Sequence, residues 1–174
     1  MADGGSDANV RNRTTGVIDL EQQLKIQDLN ARYVATIDDD KLEAWPDFFL
    51  EQGRYRVTTA ENIEQGFPLA MIYATSRAML RDRVKALRDA NVYEAQRYRH
   101  ILGMPLIEDI VDGTARTRTN FLVVRVMHTG ETLLFATGRY QDRVVLDGAD
   151  GPCFADRTVV LDSRQIDTLL AIPL

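Results

Sequence analysis

Two stretches of the chain carry apolar residues at helical spacing, and several others alternate. Ile26, Leu29, Tyr33 and Ile37 recur at intervals of 3, 4 and 4, which is one stripe of an amphipathic helix. Asp19 followed by Gln22 has the form of a capping box at its start, and the acidic cluster Asp38, Asp39 and Asp40 marks its end. A short helix is predicted over 41–49, with Trp45, Phe48 and Phe49 close together and Pro46 suited to the first turn. Gly53 closes that unit, and YRVTT (55–59) reads as a strand. Residues 60–73, punctuated by Gly66 and Pro68, read as a connection. From Ser76 to about Asn91 a second long helix is predicted on Leu80, Val84 and Leu87, with Arg77, Arg81, Lys85 and Arg88 giving it a basic outer face.

The rest is β-rich. Tyr98–Val111 reads as one long strand, bulged at Gly103 or broken near Pro105. Asp112-Gly113 is a strong hairpin signal. Strands over 114–129, 132–146 and 154–162 follow, with Gly138 a bulge candidate and the end DTLLAIPL (167–174) apolar enough to dock. Helices followed by a run of strands indicate an α+β fold. Long bulged strands curl, so the expected architecture is a cone-shaped curved sheet packed on N-terminal helices, with an internal cavity. Residues 1–16 are polar and aperiodic and read as a flexible tail, which leaves 17–174 as a single domain.

Composition then narrows the chemistry. The 174 residues include one Cys (Cys153) and two His (His100, His128), in no C-x-x-C or H-x-x-x-H spacing. A Rieske cluster or a structural zinc needs four Cys/His ligands, so this chain cannot hold either alone. The net charge of −5 argues against a nucleic-acid binder. No apolar run approaches a membrane span, and no secretory leader is visible, so the expectation is a cytoplasmic protein without membrane contact.

His100, within RYRHILG (97–103), is the chief candidate for chemistry. Pointing into the cone it could act as a general acid or base, with Asp38, Asp40 or Tyr55 as carboxylate or phenol partners and Tyr33 in the same cavity. The plain alternative is a hydrogen-bonded core histidine, or one at a subunit contact. His128, beside the turn at Gly130, fits a solvated or locally bonded residue. The three consecutive aspartates fit a solvated loop better than a metal site. The arginines of the second helix, with Arg97 and Arg99, suit either an acidic partner or a solvated face. Cys153 reads as a small core residue. There is no phosphate-binding glycine loop and no nucleophile elbow.

Several segments, in order, resemble the small (β) subunits of bacterial aromatic-ring-hydroxylating oxygenases: WPDFF (45–49), YRVT (55–58), NIEQGFPL (62–69), MLRDRVKALRDANVYE (79–94), RYRHILGMP (97–105), VRVMHTGET (124–132), FATGRY (135–140) and the terminal DTLLAIPL. The likeness covers about residues 19–174. It is greatest to the branch acting on terephthalate, with NIEQG shared with salicylate-hydroxylating members. It implies the nuclear transport factor 2-like, scytalone dehydratase-like cone with a mixed sheet. It implies a structural, non-catalytic subunit within a hexamer of three α and three β chains, acting on an aromatic carboxylate. A [2Fe-2S] Rieske cluster and a mononuclear Fe(II) would lie in the α subunit, fed from NAD(P)H by a reductase, with no cofactor, metal or catalytic residue in this chain. Interface candidates are Trp45, Arg97, Tyr98, Arg99 and His100, with Leu169, Leu170, Ile172 and Leu174 of the apolar end, since Trp, Tyr and Arg are enriched at interface centres. The competing reading is a free-standing cone-fold dehydratase or isomerase using His100 with Asp38 or Tyr55.

Overall fold

Helix α1 (Leu20–Asp38) turns its apolar stripe inward, burying Ile26, Leu29, Tyr33, Val34 and Ile37 together with the polar Asn30. Asp19 caps it by accepting from the N–H of Glu21 at 3.2 Å. These elements belong to a computed structural model that describes residues 19–90, 95–163, 170 and 172–174. The expected tail 1–16 and half of the DTLLAIPL segment, Leu169 included, lie outside the described residues.

A 3₁₀ helix (Leu42–Phe48) follows and holds Pro46 within it, tighter than the α-turn the sequence suggested. Strand β1 (Phe49–Thr59) starts six residues earlier than expected. The reason is an irregularity in its pairing between Phe49 and Arg54, which breaks the alternation that marks a strand. Residues 60–73 are more ordered than a plain connection: Thr59 caps a short helix α2 (Ala60–Glu64), and β2 (Ile72–Ala74) lies antiparallel to β1. Helix α3 (Arg77–Ala90) matches its periodicity.

The long strand expected over 98–111 is two, β3 (Gln96–Leu102) and β4 (Leu106–Val111), interrupted at Gly103–Pro105. Both pair with β5 (Thr114–Met127), end to end along the same side. The β4–β5 hairpin turns through Asp112 and Gly113, both at positive φ (49° and 73°), the type I′ geometry that an Asp-Gly pair favours. Strands β6 (Thr132–Val145) and β7 (Cys153–Leu161) complete the sheet, ordered β2-β1-β7-β6-β5-β3. β1 and β7 run parallel, and the other pairs are antiparallel, so the sheet is mixed. Gly138 is required where β6 crosses β7: a Cβ there would lie 2.2 Å from the Val160 carbonyl oxygen. Among the described residues no helix is long and apolar enough to cross a membrane.

Irregular pairings in β1–β7, β4–β5, β5–β6 and β6–β7 curl the sheet around α1. The core lies inside that curl, so the sheet has one closed face and one open face.

Candidate functional site

The centre of the closed face is an arginine among rings. The Arg157 side chain is fully buried, its Cζ 4.1 Å from the ring centroids of Tyr33 and Tyr140 and 3.9 Å from that of Phe154. Its Nε and Nη2 donate to the two carboxylate oxygens of Asp142 at 3.0 and 2.7 Å, and Nη2 also donates to Asn30 of α1. This two-toothed geometry holds both charges in a dry interior. Burial pushes the Asp142 carboxyl up, and the Arg157 guanidinium opposes the shift. Burial opposes the charge on Arg157, while Asp142 holds the guanidinium above its ordinary value.

Neither residue stands out by motif. Both could be found from alternation: Asp142 shares its inward side of β6 with Tyr140 and Val144, and Arg157 shares that of β7 with Val159 and Leu161. A charge on an apolar parity needs a partner, and the two face each other in register.

The end of the chain occupies part of the interior beside this pair. Leu174 is fully buried; the Tyr33 and Tyr55 hydroxyls donate to its carbonyl oxygen at 2.9 and 3.2 Å, and its N–H donates to the Tyr55 oxygen at 3.1 Å. Burial raises the phenol values of Tyr33, Tyr55 and Tyr140, the last two well above the ordinary value. Trp45 closes this end of the core, edge-on to Tyr55 at 5.1 Å and to Phe49 at 5.8 Å. Arg83 of α3 donates to the Leu170 carbonyl at 2.8 Å. Leu170, Ile172 and Leu174 therefore bury their side chains within their own chain, as does Trp45.

His100 and Asp38 do come together. The Asp38 carboxylate meets His100 Nδ1 at 2.7 Å and accepts from the His100 main-chain N–H at 2.9 Å. That N–H lies on the open side of β3, so the end of α1 covers a strand edge that would otherwise be unpaired. A groove of about 670 Å³ runs beside this contact, between the end of α1 and β3, lined by Asp38, Lys41, Arg88, Arg97, Arg99 and Ile172 among others. The His100 side chain is fully buried and is not part of that lining. Tyr33 and Tyr55, the other members of the expected constellation, are bonded to Leu174 instead. Of the RYRH segment, Tyr98 and His100 turn inward while Arg97 and Arg99 are exposed.

The aspartate cluster disperses to three partners: Asp38 to His100, Asp39 to Lys41 at 2.9 Å, and Asp40 to Arg88 at 2.9 Å. Among the described residues no three His, Cys, Asp or Glu side chains are grouped to hold a metal ion. His128 sits exposed just past β5, at the far end of β3 from His100. Cys153 is a free, half-buried thiol that burial pushes up. The basic face of α3 is turned on its own chain: Arg77 donates to the Phe49 carbonyl at 2.9 Å, Arg81 pairs with Asp47 at 3.1 Å, and Arg88 clasps Glu43 and Asp40.

Comparison with known proteins follows the same outline. The SnoaL-like domain family matches residues 19–157. Over 153 residues the chain is 44% identical to the β1 subunit of the terminal oxygenase component of terephthalate 1,2-dioxygenase from a Comamonas species, covering 87% of this chain and 98% of the relative. It is 36% identical over 156 residues to the anthranilate 1,2-dioxygenase small subunit of Burkholderia cepacia, covering 90% and 96%. A crystal structure described as the β subunit of an aromatic-ring-hydroxylating dioxygenase from Novosphingobium aromaticivorans superposes with a TM-score of 0.80 at 36% identity, over 87% of this chain and 96% of that one.

Proposed function

The chain belongs to the small (β) subunits of aromatic-ring-hydroxylating dioxygenases, and from that premise we propose that it is the non-catalytic assembly subunit of such an enzyme acting on an aromatic carboxylate of the terephthalate kind. The observation that supports the non-catalytic part is that the polar side chains of the interior are bonded within their own chain. Where a cone-fold enzyme would hold its substrate, Tyr33 and Tyr55 are committed to Leu174, and Arg157 to Asp142 and Asn30. A working base needs its free nitrogen within reach of a substrate. His100 has Nδ1 held by Asp38, its other ring nitrogen, Nε2, is buried, and its ring lies outside the groove lining, which speaks against the dehydratase or isomerase reading.

The donor set fits neither iron centre. One half-buried Cys and two histidines at different ends of β3 supply no cluster ligands. In this reading the Rieske cluster and the mononuclear Fe(II) belong to the large α subunit, and a reductase supplies electrons from NAD(P)H. This chain forms a trimer that supports three α chains, and residues 17–174 act as one folded unit in the cytoplasm. Contacts with neighbouring chains would come from side chains left exposed, Arg97 and Arg99 among the candidates. Trp45, Tyr98, His100, Leu170 and Leu174 would shape that surface from beneath.

The test is reconstitution of the oxygenase with and without this chain. The expected result is that omission collapses the assembly and its ring-hydroxylating turnover, while the purified chain alone binds no stoichiometric iron. Unchanged assembly mass and turnover without it would refute the reading.

A further inference from the structure

The open face of the sheet carries a feature that the core does not explain. Between α2 and β2 the chain runs exposed from Glu64 to Met71, and Phe67, Leu69, Met71 and Tyr73 are 48%, 61%, 45% and 57% exposed. This strip is not loose. Thr58 Oγ1 donates to the Leu69 carbonyl at 2.7 Å, Arg56 Nη2 reaches the same oxygen at 3.4 Å, and the Met71 N–H donates to the Val57 carbonyl at 2.8 Å. Four large apolar side chains are thus held outward on a fixed edge, which in a soluble protein marks a contact surface.

The neighbouring sheet face is basic although the chain is acidic overall. The register places Arg54, Asp156, Arg143 and Arg116 in one row across β1, β7, β6 and β5, and Arg56, Thr158, Gln141 and Arg118 in the next. Arg54, Arg116 and Arg118 are answered by Asp156, Asp109 and Glu108, at 2.5, 2.6 and 4.0 Å. Arg139 and Arg143 form no ion pair among the described residues. Both lie two strands from β1: Arg139 shares the row of Thr58, about 10 Å from the base of the apolar strip, and Arg143 shares the row of Arg54, farther along the strand.

Resting on the small-subunit reading above, we propose that the 67–73 strip and the Arg139/Arg143 face together dock the large oxygenase subunit, through a surface that sets carboxylates beside an apolar recess. An apolar centre with an arginine-rich border has the composition of an interface. Arg139 and Arg143, without ion pairs of their own among the described residues, are complementary to a carboxylate-bearing partner and repel one that brings the same face.

The experiment mixes the full chain with its cognate large oxygenase subunit and measures affinity at low and raised salt, with particle mass read in parallel. The double variant Arg139→Glu/Arg143→Glu, and separately Leu69→Asp, should each weaken the complex by at least about tenfold, and the arginine variant should also lose most of the salt dependence. Leu134→Asp, at an exposed leucine on β6 near its turn, should leave affinity within about twofold. Circular dichroism and urea midpoints of the isolated variants separate lost contact from lost fold, and Arg143→Glu alone, at an exposed position, keeps the test available if Leu69→Asp or the double variant unfolds. Wild-type affinity in the arginine variant overturns the proposal. So does loss of self-association with the large subunit still bound, since the face would then join copies of this chain. If the unaltered chain fails to bind the large subunit, the small-subunit reading falls and the proposal with it.

Discussion

The two faces of this sheet use the same residue types to opposite ends. On the closed face Arg157 is wrapped by Tyr33, Tyr140 and Phe154 and paired with Asp142, so that its charge serves the interior of its own chain. On the open face Arg139 and Arg143, one residue to either side of the inward-facing pair Tyr140 and Asp142, find no carboxylate among the described residues. Alternation along one strand thus separates a charge used for folding from charges left for a partner. The interior polar groups on the closed face are bonded within their own chain, and the charges left over lie on the outside.

The sharpest way to break that contrast is inside. Asp142→Ala leaves the Arg157 guanidinium buried without its carboxylate, and should cost about 3–5 kcal/mol of stability in urea unfolding of the isolated chain. A loss under about 1 kcal/mol would mean that the interior is wetter than its burial indicates. Next is the stopper. Leu174→Ala removes a fully buried side chain and should cost roughly 3 kcal/mol by the same measurement. Assembly with the large subunit should survive it wherever the variant is folded, because the side chain faces its own core.

His100→Ala comes third. It strips the Asp38 carboxylate of its ring partner and leaves the main-chain N–H and Arg99 at 3.9 Å, a cost of about 1–3 kcal/mol. Turnover per assembled oxygenase should be retained. An assembled enzyme that loses turnover without losing mass would return His100 to the list of reacting groups.

The buried phenols set a pH dependence whose sign follows from their surroundings. Burial holds Tyr33, Tyr55 and Tyr140 above their ordinary value, so the unfolded chain loses these protons first. The associated stability is intact below about pH 10 and falls as pH rises beyond it, by up to about 1.4 kcal/mol per pH unit for each phenol that ionises only on unfolding. Ultraviolet titration should show a set of phenols that ionise only as the fold is lost.

Much of this was legible in the chain. The stripe of α1, the helix at α3, the Asp112-Gly113 hairpin and the break at Pro105 all follow from spacing and turn chemistry, and the pairing of His100 with a carboxylate was among the expected contacts. Two things were not. The first half of β1 lost its alternation to an irregular pairing, and β2 is three residues long, too short to carry a period. The fate of the apolar end was equally hidden. Apolar character says that Leu170, Ile172 and Leu174 are buried, not whether their own chain or a neighbour covers them; two phenol hydroxyls, distant in sequence, decide it. Likewise the α3 arginines suited either an acidic partner or a solvated face, and spacing gave no sign that the 3₁₀ helix would supply Glu43 and Asp47.

The smallest expected effect tests the comparison most directly, because it uses neighbours on one strand. Asp142 and Arg143 are adjacent in sequence and point to opposite faces. Arg143→Ala removes an exposed side chain with no ion pair among the described residues, so stability should change by no more than about 0.5 kcal/mol. Set against the loss expected for Asp142→Ala, this gives roughly a tenfold ratio of effects between consecutive positions. If Arg143→Ala destabilises the isolated chain by more than about 1 kcal/mol, the open face is part of the fold's own energetics and Arg143 is not held in reserve. If stability holds while affinity for the large subunit drops, the charge is kept for a contact made after folding, and the division between the two faces is a division between folding and assembly.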